Sequence, residues 1–327
     1  MRTSGLDLFE QAERRWTALS DAHPDLMPAI ELQRRLIAES HALVERLEQL
    51  SGITPPRDPS VAAKKLQRGL PALRGEPVEV PVTVLAPSLD RFCRHLADSD
   101  AGEIARHVLE TFESGRMSRA SLLTASLTRN QHAIRMGATQ MGLSPDLVWL
   151  VGELATAPLA YVLQDRLFCP EPGADRSAPL CSALTAWDRG YCPACGSWPA
   201  LAEWVGGRRS LRCSFCGAGW ETHSHRCVYC GETGAAFQTI TPDPEASAYI
   251  LEACDRCGGY TKAARVAALT PFLLLAIEDL ETFALDRTAA DRGYGRPPLV
   301  ELGAEATYEP PRPCGGGRLR AEGSGLS

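Results

Sequence analysis

Residues 191–220 read YCPACGSWPALAEWVGGRRSLRCSFCGAGW, and this stretch decides how the rest of the chain is read. Residues 198–205, then Gly206-Gly207, then residues 208–213 predict a hairpin whose far end brings a second Cys-x-x-Cys pair beside the first. A second version follows, with residues 235–240 and 248–254 as strands and TPDPE as their connection. Its pairs are Cys227/Cys230 and Cys254/Cys257. In all four pairs, CPACG, CSFCG, CVYCG and CDRCG, the next residue is glycine. Two residues between cysteines let a tight turn present both sulfurs to one ion, and the glycine tolerates the positive φ that such a turn needs.

The intervals between pairs are 17, 10 and 23 residues, from Cys195 to Cys213, Cys216 to Cys227 and Cys230 to Cys254. The two longer gaps each accommodate a hairpin and the shortest is a linker. This assigns Cys192, Cys195, Cys213 and Cys216 to one metal site and Cys227, Cys230, Cys254 and Cys257 to another. Interleaved pairing, or replacement of a thiolate by His223 or His225, is the alternative that spacing leaves open. Iron and zinc accept the same four thiolates, so the metal is iron of the rubredoxin type or zinc. With all four positions filled by protein, the sites read as structural staples. One-electron transfer and dithiol exchange are the sharper alternatives.

The full chain has 327 residues, about twice a typical domain, with 44% hydrophobic and 23% charged residues and a net charge of −6. Residues 192–262 carry six basic and seven acidic side chains, which leaves no general phosphate footprint; Arg208, Arg209 and Arg212 form either a local patch or a solvated hairpin end. The N-terminus lacks the apolar core of a secretory signal, and Arg14-Arg15 reads as a solvated helix face. Twelve cysteines in such a chain point to metal binding rather than disulfides. Residues 147–163 are barely of membrane-spanning length and contain Glu153 and Pro158, so a buried core helix is expected. Cys93 reads as a core residue, Cys169 and Cys181 flank a loop, and Cys314 lies in the tail. His23, His41, His95, His107 and His132 lack paired ligand spacing, and no catalytic triad order or phosphate loop stands out, so the chain is not read as an enzyme.

The fold class is α+β: an N-terminal helical bundle (1–184), two tandem rubredoxin-like or zinc-ribbon β modules (185–224 and 225–262), a C-terminal helical segment (263–308) and a disordered tail (309–327). Within the bundle, Ile30, Ile37 and Val44 share a helical face. Asp100 with Glu103 forms a capping-box pattern, after which Ile104, Val108, Leu109 and Phe112 trace a stripe that Gly115 ends. Residues 52–87 read as loop and extended chain. Thr270-Pro271 opens a helix through about Arg287, with Leu273, Ile277, Leu280 and Ala284 on one face.

The series YCPACGSWP, LRCSFCGAGW, HRCVYCG and ACDRCGGYTK, followed by EDLETFALDRTAADRGYGRPPL, resembles the formate dehydrogenase accessory protein FdhE family over about residues 190–300. That resemblance implies a cytoplasmic, non-enzymatic maturation factor with tandem rubredoxin-like sites holding two iron ions. The implied partner is the catalytic subunit of a respiratory, molybdenum- or tungsten-containing formate dehydrogenase, bound before twin-arginine export; the charge balance and the apolar stretch above lead us to expect neither nucleic-acid binding nor membrane insertion. A zinc-ribbon nucleic-acid-binding module and a rubredoxin-like electron-transfer or thiol redox protein are the competing readings.

Overall fold

The computed structural model describes residues 5–54, 58–99, 102–169, 177–223, 225–241 and 248–297. Asp100, residues 242–245 of the TPDPE connection, Cys314 and the tail lie outside them. Nine helices come first: α1 (Gly5–Ala22), α2 (Met27–Glu48), α3 (Pro59–Gln67), α4 (Val82–Ala97), α5 (Gly102–Glu113), α6 (Arg119–Leu127), α7 (Gln131–Gln140), α8 (Pro145–Phe168) and α9 (Ala178–Thr185). Then come β1 (Pro199–Val205), β2 (Arg208–Cys213), β3 (Gly219–Glu221), β4 (Phe237–Ile240), β5 (Tyr249–Cys254) and β6 (Gly259–Arg265), and finally α10 (Leu275–Glu281) and α11 (Phe283–Asp291).

The bundle surrounds α8, which starts with Ser144 at the N-cap and Pro145 in its first turn. It is the one helix among the described residues long and apolar enough to cross a membrane, yet Val151, Ala155, Leu159 and Leu163 are buried against α2, α4, α6 and α7. Close approach to α6 rests on small residues: a Cβ at Gly152 would sit 3.3 Å from Leu122 and Ser126, and Ser126 shares a buried 2.8 Å hydrogen bond with Thr156. On α2, Ile30, Ile37 and Val44 are all buried, as the periodicity predicts. On α5, Val108 and Phe112 face inward, whereas Ile104 is half exposed and Ala105 takes the inward place.

Two helices occupy the region expected to be loop and extended chain. At α3, Asp58 accepts a 2.8 Å hydrogen bond from the Ser60 N–H and Pro59 fills the first turn. The Asp-Pro pair that looks like a turn is therefore a helix start. At α4, the valine-rich approach and interior Pro87 disguise a stripe of Leu85, Leu89, Phe92 and Leu96, whose burial outweighs the one backbone hydrogen bond that proline removes.

All six strands form a single sheet in the order β3-β2-β1-β6-β5-β4. Within each half the strands are antiparallel; the halves join through a parallel β1–β6 pairing from Leu201↔Lys262 to Trp204↔Arg265. Each half runs knuckle, strand, strand, knuckle, strand, so the second repeats the first side by side in the same sense. Strand β6 is buried along all but its last residue, and Lys262 is tolerated inside it because its ammonium meets Asp286 at 2.7 Å and Asp279 at 2.6 Å. The C-terminal helix expected through Arg287 is divided at Thr282, whose hydroxyl donates to the Glu278 carbonyl at 2.7 Å.

Arg15 corrects the expectation of a solvated Arg14-Arg15 face. Its guanidinium is clamped by Glu281 at 2.8 and 2.6 Å, tying α1 to α10, and Trp16, Leu19, Ile30, Leu274 and Ile277 form a small core beneath.

Candidate metal centres

Each cysteine pair sits where a strand meets a tight turn. Cys213 closes β2 and Cys254 closes β5, so the two hairpins place equivalent knuckles. The following glycines have φ of 83° (Gly196), 69° (Gly217), 76° (Gly231) and 68° (Gly258), left-handed values that side chains resist. Through that conformation the N–H of Gly196, Gly231 and Gly258 donates to the carbonyl of the first cysteine of its pair, at 3.0, 3.0 and 2.8 Å.

The sulfurs gather without interleaving. Cys192, Cys195, Cys213 and Cys216 form one group and Cys227, Cys230, Cys254 and Cys257 the other, each with all Sγ atoms within 4.8 Å of one another. Cross-pair separations are 3.6 Å for Cys192–Cys216, 3.4 Å for Cys195–Cys213, and 3.6 Å for both Cys227–Cys257 and Cys230–Cys254. A tetrahedron with metal–sulfur bonds of about 2.3 Å has edges of about 3.8 Å. The spacing is far beyond a disulfide bond of about 2.05 Å. Two four-cysteine groups that can hold metal ions are therefore present, and the donor set does not distinguish iron from zinc.

The first centre is enclosed. Cys192, Cys213 and Cys216 are fully buried and Cys195 is 3% exposed. Backbone N–H groups of Ala194 (3.4 Å), Phe215 (3.3 Å) and Cys216 (3.4 Å) point at Cys192 and Cys213. The helical part grips the first knuckle: Ala72 and Leu73 N–H donate to the Pro193 and Ala194 carbonyls at 2.8 and 2.9 Å, and the Tyr191 hydroxyl donates to the Gly69 carbonyl. Burial drives the Cys192 and Cys216 thiols well above the ordinary cysteine value. At Cys195 burial opposes ionisation, but hydrogen bonds from the other three cysteines and the positive charge of Arg129 outweigh it and hold the thiol well below that value. Four sulfurs in one dry volume cannot all ionise without a cation among them, which is the fit expected of a thiolate metal site.

The second centre is more open. Cys227 and Cys254 are buried while Cys230 and Cys257 are half-buried. The hydrogen bond with Cys257, and then burial, push Cys227 upward, and burial raises Cys230 to about 11. The two knuckle regions touch: a Cβ at Gly190 would collide with the Val228 carbonyl, and Trp198 packs edge-on against Tyr229 with centroids 5.0 Å apart. After α11, Gly295 N–H donates to the Gly258 carbonyl at 2.8 Å and the Tyr294 hydroxyl reaches Asp255.

His225 stacks edge-on against Phe237 and His223 lends its carbonyl to Arg209, so neither joins the sulfur groups. Cys93 is buried and desolvation pushes its thiol up to about 12; Cys169 caps the end of α8 and Cys181 lies within α9. The arginine trio forms neither a basic patch nor a solvated end. Arg209 is buried against Glu252 and Arg212 against Glu203, each ion pair lying inside the fold, and Arg208 faces Glu221 at 3.2 Å. No local signal reveals the partner of Arg209, since Glu252 lies in the other half of the sheet, whereas Glu203 faces Arg212 across the same hairpin.

No protein-family model matches the chain. A protein FdhE homolog of Rhizobium meliloti is 26% identical over 272 residues, 80% of this chain and 84% of the relative. The resemblance to FdhE proteins holds. A homolog from Shewanella oneidensis is 34% identical over 108 residues, and protein FdhE of Escherichia coli 33% over 112, so these matches of higher identity span about a third of each relative, 35% and 36%. The crystal structure of the FdhE protein from Pseudomonas aeruginosa superposes with a TM-score of 0.60 at 23% identity, covering 90% of this chain and 95% of that one, which establishes the likeness in fold.

Proposed function

We propose that this chain is a cytoplasmic accessory factor in formate dehydrogenase maturation, acting by binding the enzyme's catalytic subunit before export rather than by catalysis. The observation that carries this reading is the pair of four-cysteine groups in one sheet, in a chain similar to relatives named FdhE. Cys192, Cys195, Cys213 and Cys216 hold one ion and Cys227, Cys230, Cys254 and Cys257 the other. Two iron ions are our first assignment and zinc the second. Bound iron would supply one-electron redox capacity, whereas zinc would supply a crosslink alone. The helical part (1–184), the two metal modules (185–224 and 225–262), the C-terminal segment (263–308) and the tail are the units we assign. The buried pairing of Arg209 and Arg212 speaks against the nucleic-acid alternative, because it withdraws two of the three clustered cations from any phosphate.

The test is co-purification of the metal-loaded chain with formate dehydrogenase catalytic subunit, alongside metal analysis and a visible spectrum of anaerobically prepared protein. Retention of the subunit, lost on replacing both Cys227 and Cys230 by serine in a folded protein, is the expected result. Absence of binding by the intact, two-metal protein overturns the assignment.

A further inference from the structure

Arg129 is the one non-glycine residue with positive φ among the described residues, at 59°. The turn between α6 and α7 adopts this disfavoured conformation with a long cation at its apex. The side chain is 4% exposed and its charged carbon lies 4.0 Å from the ring centroid of Phe215 and 4.6 Å from that of Trp149. One terminal nitrogen meets Glu153 at 2.6 Å. The Nε and the other terminal nitrogen find no hydrogen-bond acceptor among the described residues. A buried guanidinium with donors left over is costly, and Glu153, 26% exposed, meets only part of its demand.

Phe215 is the third residue of the Cys213-Ser-Phe-Cys216 knuckle, so the cation stacks on the turn that presents two of the four sulfurs. Four thiolates around a divalent ion carry a net charge of −2, and around a ferric ion −1. In this enclosed setting, solvent does little to screen that charge. The cations near the second centre are more exposed and paired with carboxylates: Arg256 is 60% exposed and meets Glu232, and Arg296, 35% exposed, meets Asp279 and Asp286.

We propose that Arg129 is the counter-charge of the first four-cysteine centre, a positioning residue through which the helical bundle retains the ion held by Cys192, Cys195, Cys213 and Cys216. The proposal rests on the reading of that group as a metal site. Arg129 touches no sulfur's metal position directly; it acts through the knuckle and the shared low-dielectric interior. Its displacement by movement of the α6–α7 turn therefore loosens the first ion and leaves the second unaffected.

The experiment loads the full-length chain with Co(II), whose thiolate absorption reports each centre, and follows loss to a chelator. Wild type is expected to release cobalt in two phases. Arg129→Met accelerates one phase about tenfold or more, the scale of a lost outer-shell partner, leaves the other phase unchanged, and Arg129→Lys restores most of the retention. Glu153→Gln removes the competing anion and slows the same phase. Unchanged release in Arg129→Met, or equal acceleration of both phases, overturns the proposal while leaving the metal reading intact. Should Arg129→Met fail to fold, unchanged or faster release in Glu153→Gln overturns it instead. Failure of wild type to bind cobalt at all overturns both.

Discussion

The two metal centres share knuckle spacing, glycine geometry and strand order, but the first has no half-exposed sulfur and the second has two, Cys230 and Cys257. The difference lies in what each repeat packs on. The first knuckle hydrogen-bonds to residues 72 and 73 and packs with α3, α8 and α9; the second packs on the first knuckle region, the residues after α11 and solvent. The same local motif is therefore a buried joint at one place and an accessible rim at the other.

The largest test of this contrast is metal removal. Chelation is expected to empty the second centre first with the sheet intact, and then the first with loss of the fold, since structural thiolate sites contribute on the order of 10 kcal/mol. Metal counting by native mass spectrometry alongside circular dichroism checks this, and simultaneous release with a single unfolding step would erase the distinction.

The halves are also joined by charge. Arg209 on β2 and Glu252 on β5 are both essentially inaccessible, so Arg209→Met should cost about 3–5 kcal/mol by leaving a buried carboxylate unpaired. Adding Glu252→Met should recover most of that. Urea unfolding of the metal-loaded forms measures both, and a single-variant cost below about 1 kcal/mol would show that the seam is not held this way.

The glycines sharpen the comparison at equivalent positions. A Cβ at Gly217 would collide with the Phe272 ring, while one at Gly258 meets nothing within 4 Å. Gly217→Ala should therefore cost about 3 kcal/mol, combining overpacking with left-handed strain, and Gly258→Ala about 1 kcal/mol from strain alone. Equal shifts in unfolding midpoint would mean that the first repeat is no more tightly covered than the second.

The helices over the sheet differ in charge balance as well. Asp286 on α11 is matched by buried Lys262, whereas burial, with a contribution from Glu203, raises Glu278 on α10 to about 7 despite Thr270 and Arg15. A carboxyl that binds its proton more tightly when folded favours the native state below about pH 4.5 and loses that advantage as pH rises through 7. Glu278→Gln should flatten this decline, which amounts to no more than about 3 kcal/mol. An unchanged pH slope between 5 and 8 counts against it.

Residues with local signals were legible in the sequence. Gly206-Gly207 marks the hairpin, and the spacing of the eight paired cysteines separates into the two groups that the sulfurs form. Features whose cause lies far along the chain were not. Strand β6 reads poorly because Lys262 interrupts it, and its neutralising Asp279 and Asp286 arrive only with the terminal helices. Arg209 looks like a surface cation until Glu252 is brought to it, and the helix start at Asp58-Pro59 is indistinguishable from a turn until Ala62, Ala63 and Leu66 find their core.

The parallel β1–β6 seam gives each repeat two unlike borders, as in a tile that fits head to tail. A dyad would close after two units, but this arrangement has no inherent stopping number. Its outer strands are short, three residues in β3 and four in β4, so each free border offers little unpaired backbone to a further copy. Short border strands thus work at both ends against the edge-to-edge addition that a head-to-tail seam would otherwise permit.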